Sequence, residues 1–309
     1  ARLREAEAEF LVLARYDEVV ERPPSPKECL ASMYEILALK NERAKLLGYA
    51  SYADWSLEPT MAGNVGAVRA LHGAIADRVL PEINEELLAE YDRIDAEIGD
   101  LREYFPLENV LEGTFALTRT LFGITVEEEA GDGAANGWHR DVRLFHVYDK
   151  GSGDLLGSFY LDPFRRRGSK RAGNFAMPLM FRNKHDNIKP LVALSLSVVP
   201  PAWDTDPAHL TFDDVESLLH EFGHVLQFLL ADVERGSLSG DQRLPHDASE
   251  FVSQFMEYWL YEDDVLPQFS RGPNNGQPPL PPDTVRKLQE RRVLQKKIDL
   301  CRHLFRSEL

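Results

Sequence analysis

The stretch from Thr211 to Leu230 constrains the fold more than any other part of the chain. Val215, Leu218, Leu219, Phe222, Leu226, Leu229 and Leu230 recur at helical intervals, and Thr211 with Asp214 forms a Thr-x-x-Asp capping pattern. The spacing predicts one amphipathic helix whose apolar stripe must be buried. On that helix lies His220-Glu221-Phe222-Gly223-His224. Residues four apart stand one above the other, so both imidazoles can reach one metal ion, while Glu221, about 100° round the axis, borders the same cavity. Gly223 costs a helix about 1 kcal/mol, which calls for a close approach of backbone or metal at that point. The plain alternative is a core helix on which two histidines happen to fall at this spacing; the flanking glutamate and the strong helical pattern favour a metal site.

A zinc site needs a third protein ligand and leaves a fourth position for water. The extended pattern, with Gly three residues and a third His six residues after the second His, fails because Gln227 and Leu230 occupy those positions. A glutamate from a following helix survives. Glu234 follows His224 too closely for the chain to turn back, and Glu262 and His246 are further candidates. Asp247-Ala248-Ser249-Glu250 reads as the start of a second helix running through Phe251, Val252, Phe255, Met256, Trp259 and Leu260, which puts Glu250, Gln254 and Glu257 on one face. Glu250 is then either a ligand or the fourth residue of a capping box satisfying the Asp247 backbone. Glu257 is an alternative ligand, or an acceptor that holds a ligand histidine by its other ring N–H, and Asp247 is a further candidate for such support.

The residues from Leu210 to Trp259 closely resemble the thimet oligopeptidase and oligopeptidase A family of zinc metallopeptidases. The resemblance rests on Thr211-Phe212-Asp213-Asp214-Val215-Glu216, the His220 to His224 motif, Leu238-Ser239-Gly240 and Asp247 to Glu257. Upstream, Tyr104-Phe105-Pro106-Leu107-Glu108, Leu121-Phe122-Gly123-Ile124, Trp138-His139 with Asp141-Val142, and Gly157 to Asp162 look like further landmarks in the same order. The resemblance implies that His220, His224 and Glu250 hold one zinc ion and that Glu221 is the catalytic base. Zinc of this kind polarises a water and lowers its pKa toward about 7, and Glu221 takes the proton as the water attacks a peptide carbonyl. The implied substrates are short, unfolded peptides that reach a deep channel. Two departures are visible. Ala248 and Ser249 replace the family's usual apolar pair, and one extra residue lies between Gly240 and Asp247; neither change touches a ligand. The family's N-terminal helices and its C-terminal part, with a His and several Tyr for the substrate carbonyl, have no counterpart here, so the chain reads as a fragment of a longer protein.

A net charge of −16 in 309 residues argues against nucleic acid as a general partner and suits neutral or basic peptides. Cys29 and Cys301 are too few for a disulfide framework, which points to a reducing interior, cytoplasmic or organellar, rather than secretion. The longest apolar run, Leu191 to Trp203, is broken by Ser and Pro and cannot span a bilayer. Arg165-Arg166-Arg167 with Lys170-Arg171 reads as a solvated loop in so acidic a chain, and His139, His146, His185 and His209 lack ligand spacing with one another.

The pattern of residues 1–125 is helical, with helices expected at Ser32 to Leu47, Pro81 to Ile98 and Leu107 to Phe122. Val142 to Tyr148 and Leu155 to Leu161 read as a hairpin around a Gly-rich turn, and Ala193 to Val199 as a third strand. Gly272 to Pro282 reads as a loop and Thr284 to Phe305 as a final helix. The expected fold is therefore mainly α, a helical zincin-like arrangement with a small antiparallel or mixed sheet beside the metal-bearing helices. Residues 1–125 form part of a helical lobe and 126–309 a catalytic zinc-binding part. Two rivals to a monomeric oligopeptidase remain: a presequence-processing peptidase of the same family, and a non-catalytic or truncated inactive homologue that binds peptides.

Overall fold

The computed structural model describes residues 25–129, 137–203, 206–234, 244–272 and 280–307. Leu238-Ser239-Gly240 and the Asn274 to Pro279 stretch of the Pro-rich loop lie outside the described residues. The chain divides into two compact units, 1–71 and 72–309, with the boundary inside helix α3 (Val65–Val79). In the first unit, α1 (Pro26–Leu46) opens on a Ser25/Glu28 capping box and packs beside α2 (Tyr52–Leu57), where Arg43 lies 4.4 Å from the centroid of Trp55.

In the second unit, Pro81 sits in a separate 3-10 turn, Leu80–Glu82, and α4 (Glu85–Ile98) begins only after Asn84, whose side chain accepts from the Leu87 N–H. The helix expected from Pro81 is thus two pieces, because Asn84 is the better N-cap. Helix α5 (Leu107–Phe122) ends where Gly123 turns left-handed at φ 64°, and the chain enters β1 (Ile124–Glu128). The hairpin is present as β2 (Arg143–Asp149) and β3 (Leu155–Phe164), with Phe145 opposite Phe159. Next come β4 (Phe175–Met180) and β5 (Leu191–Val198), and the sheet order is β1-β2-β3-β5-β4. Among the described strands only the β3–β5 pair is parallel, so the sheet is mixed. No described helix is long and apolar enough to cross a membrane; the apolar run from Leu191 is the buried strand β5.

Helix α6 (Phe212–Leu230) packs across β3, β4 and β5. Its capping box is formed as the pattern predicts, with Asp214 N–H donating to Thr211 Oγ1 at 3.1 Å and Thr211 N–H to Asp214 Oδ2 at 3.0 Å. Phe222, inside the histidine motif, is buried at 6.0 Å from Phe115 of α5 and 5.4 Å from Phe159 of β3. That aromatic anchor fixes the rotation of α6 about its axis. With Phe222 directed into the core, His220 and His224 occupy the helix's half-buried margin. After α6 come α7 (Phe251–Tyr258), α8 (Leu266–Phe269) and α9 (Pro282–Ser307), the last packing against α4.

The basic segment after β3 departs from a solvated loop. Arg165, Arg167 and Arg171 are exposed, but Arg166 and Lys170 turn inward onto the buried Asp162, which also accepts from Trp138 Nε1 at 2.9 Å. Lys170 Nζ donates to the carbonyls of Asp162, Phe164 and Leu196, tying the ends of the parallel strands together. Burial of the Asp162 carboxylate requires these partners, and its own sequence neighbours supply two of them.

Candidate metal centre

Helices α6 and α7 cross so closely that no side chain fits between them at Gly223. A Cβ there would lie 2.5 Å from Ser253 Cα and 2.8 Å from the Val252 carbonyl oxygen. The missing side chain lets α7 seat its N-terminus on the motif face. Helix α7 starts at Phe251, later than expected, and Asp247 belongs to a preceding 3-10 turn, His246–Ala248. Glu250 is the N-cap residue by position but its side chain makes no capping bond. Instead Glu250 Oε2 reaches His224 Nε2 at 3.0 Å and His220 Nε2 at 3.3 Å, and accepts from Ser253 Oγ at 2.8 Å. Of the two roles open to Glu250, the capping one is not made.

His220, His224 and Glu250 each offer one ligand atom, all within 4.8 Å of one another, and they are the group of this kind found among the described residues. Two imidazole nitrogens and a carboxylate oxygen are a donor set that suits zinc with an open position. The remaining ring nitrogen of His220, Nδ1, lies 2.7 Å from Glu257 Oε1. Burial pushes the Glu257 carboxyl up, but the His220 hydrogen bond and the nearby Lys296 and Arg292 outweigh it and hold the group below the ordinary carboxylate range. An ionised Glu257 only accepts, so Nδ1 carries the hydrogen and Nε2 is the ring nitrogen directed at the centre. The same Glu257 contact, chiefly, raises the His220 pKa, against burial, which lowers it.

Glu221 is buried on α6, where desolvation raises its pKa above the usual range; the His220 ring and a hydrogen bond from the Ala176 backbone oppose the rise. That backbone bond joins the motif helix to β4, the strand that ends the described sheet order. Neither β4 nor its place at the edge was expected. A buried carboxylate of raised basicity beside a candidate metal site has the properties of a proton acceptor.

Asp247 is exposed on its turn, and Glu234 is an exposed residue near Lys184. Glu262 follows the 3-10 turn Trp259–Tyr261 and is exposed. His139, His146, His185 and His209 each have a local partner: Asp141, Ser158, Asp186 and the Arg102 carbonyl. Residues not anticipated are Glu216, half-buried one turn before His220 and bonded by Tyr261 Oη at 3.0 Å, and Arg292 and Lys296 of α9.

A profile of peptidase family M3 matches residues 14–309, and the chain belongs to that family. It is 33% identical over 301 residues to oligopeptidase A of Escherichia coli (strain K12), covering 88% of this chain and 43% of the relative. It is 32% identical over 294 residues to organellar oligopeptidase A, chloroplastic/mitochondrial, of Arabidopsis thaliana, covering 84% of this chain and 36% of that protein. A probable thimet oligopeptidase of Arabidopsis thaliana is 31% identical over 262 residues, 76% of this chain and 36% of the relative. The chain thus spans roughly two fifths of the length of these relatives.

Proposed function

We propose that the protein carrying this chain is a zinc-dependent endopeptidase that cleaves internal bonds of short, unfolded peptides. The observation that carries this reading is the convergence of His220 Nε2 and His224 Nε2 on Glu250 Oε2 at 3.3 and 3.0 Å, with Glu221 buried on the same helix. His220, His224 and Glu250 would hold one zinc ion. When bound, zinc supplies the Lewis acidity that polarises a water and the substrate carbonyl. Glu221 accepts a proton at its carboxylate and returns it to the departing amine. Glu257 keeps the His220 ring in the Nδ1–H tautomer. Strand β4 offers its outer edge to an extended peptide, and exposed Met177, Leu179 and Met180 give that edge an apolar border.

The substrate class is supported by the relatives, which are named as oligopeptidases. The organellar name of one relative, and that of a further relative, a probable cytosolic oligopeptidase A of Arabidopsis thaliana, support a place in the cytosol or an organelle interior, and we extend the reading to a monomer without nucleic-acid or membrane partners. Elemental analysis of the purified chain tests the metal. About one zinc per chain, lost or weakened in Glu250→Ala, is the expected result; a folded chain without zinc removes the mechanism. Glu221→Gln should retain the metal and lose cleavage of a quenched fluorescent peptide in a protein of the relatives' full length. Substantial residual turnover in that variant sinks the assignment of the base.

A further inference from the structure

Behind the metal centre, a third helix reaches the ligand histidine through Glu257. While Glu257 Oε1 meets His220, its other oxygen, Oε2, faces two cations of α9: Arg292 Nη2 and Lys296 Nζ, each at 3.7 Å. Arg292 Nη1 also donates to the main-chain oxygen of Glu257 at 3.4 Å. The two cations are not equivalent. The Arg292 side chain is 10% exposed and that of Lys296 56%, so solvent screens the lysine far more than the arginine. The guanidinium is also held in place, 3.8 Å from the ring centroid of Tyr261 and 4.4 Å from that of Tyr258. Tyr261 is in turn fixed by its hydrogen bond to Glu216 of α6.

We propose that Arg292 is a positioning residue for the metal centre, which it serves by holding the Glu257 carboxylate against His220 Nδ1 and so fixing the tautomer and orientation of that ligand. The proposal rests on the zinc reading given above. A metal-bound histidine is oriented by the group on its far nitrogen, and loss of such a partner commonly weakens metal binding by about 10–100-fold. Without Arg292 the inner carboxylate keeps only a screened lysine on its second oxygen, and its grip on His220 loosens. Packing alone predicts something else. A residue that only filled the space between Tyr258 and Tyr261 would matter for stability and not for zinc.

The test is a zinc titration of the chain against a competing chromophoric chelator, with the thermal midpoint of the metal-free protein measured alongside. Arg292→Met keeps length and apolar packing but removes the charge; Arg292→Lys keeps the charge. The expected result is roughly tenfold weaker zinc binding in Arg292→Met and a loss within about threefold in Arg292→Lys. Added to Glu257→Gln, Arg292→Met should weaken binding no further, because both act on one contact. The proposal is overturned if Arg292→Met binds zinc as the parent does, if the lysine variant loses as much as the methionine variant, or if the losses with Glu257→Gln add. Should Arg292→Met not fold, Arg292→Gln takes its place under the same criteria. A parent chain that binds no zinc removes the zinc reading first and this inference with it, an outcome separate from a parent that binds and variants that do not differ.

Discussion

Gly223→Ala sets two physical effects against each other. In an exposed helix interior the replacement would stabilise by about 1 kcal/mol through helix propensity alone. Here the new Cβ would stand 2.5 Å from Ser253 Cα, 2.8 Å from the Val252 oxygen and 2.9 Å from Ser253 N, all main-chain atoms that cannot swing aside. Helix α7 would have to retreat by roughly 1 Å to regain ordinary contact distance. Overpacking of this kind typically costs about 1–3 kcal/mol, so the net expectation is a destabilisation of up to about 2 kcal/mol. The larger consequence is functional. Glu250 and Glu257 both lie at the ends of α7, and a 1 Å shift exceeds the tolerance of contacts made at 3.0 and 2.7 Å. Zinc affinity should therefore fall by more than tenfold, as measured by chelator competition, while urea denaturation of the metal-free chain gives the stability change. A variant as stable as the parent, or more so, with unchanged zinc affinity would refute the reasoning, because propensity would then have won and the tight crossing would not govern the site.

Three further outcomes follow from the structure. Asp162 is pushed up by burial but held below the ordinary carboxylate range by Arg166, Trp138 and Lys170, so its contribution is present above the unfolded value near pH 4 and is lost as pH falls through the depressed folded value. Asp162→Asn should cost about 3–5 kcal/mol at neutral pH and flatten the acid limb of a stability–pH curve; an unchanged acid limb would count against the ion-pair account. Thr211→Ala removes the α6 cap and should cost about 1 kcal/mol in chemical denaturation, with less than half that cost arguing that the cap is redundant. Zinc at about 100 times its dissociation constant should stabilise the chain by about 2.7 kcal/mol over the chelator-treated form, and scanning calorimetry showing no shift would exclude binding to the folded state.

The motif helix was readable because its signals agree: a capping box, a continuous apolar stripe and paired histidines on one margin all require the same helix. Glu250 was harder, since a glutamate near a helix start has two uses and only the three-dimensional approach of α7 to α6 separates them. Strand β4 was missed because Phe175-Ala176-Met177-Pro178-Leu179-Met180 contains a proline and no clean alternation. Proline is tolerated there because β4 has no partner on its far side in the described sheet. The inward turn of Arg166 and Lys170 was hidden for a related reason: a run of basic residues looks solvated until the buried Asp162 is placed beside it. Arg292 could not be found at all, because it lies 35 residues beyond Glu257 on a helix rich in charged residues.

The divided origin of the centre explains why so much packing precision surrounds it. The two histidines share one helix, and Phe222 locks that helix into an aromatic core with Phe115, Phe145 and Phe159. Glu250 stands at the N-terminus of an eight-residue helix that cannot hold its own conformation in water and depends on its neighbours for position. Its neighbours supply that position from both sides, through the glycine contact at Gly223 and through the Arg292 contacts to Glu257. A metal ion joining the rigid helix to the dependent one would then close the assembly, which makes the docking of α7, rather than the integrity of α6, the step on which the centre's affinity turns.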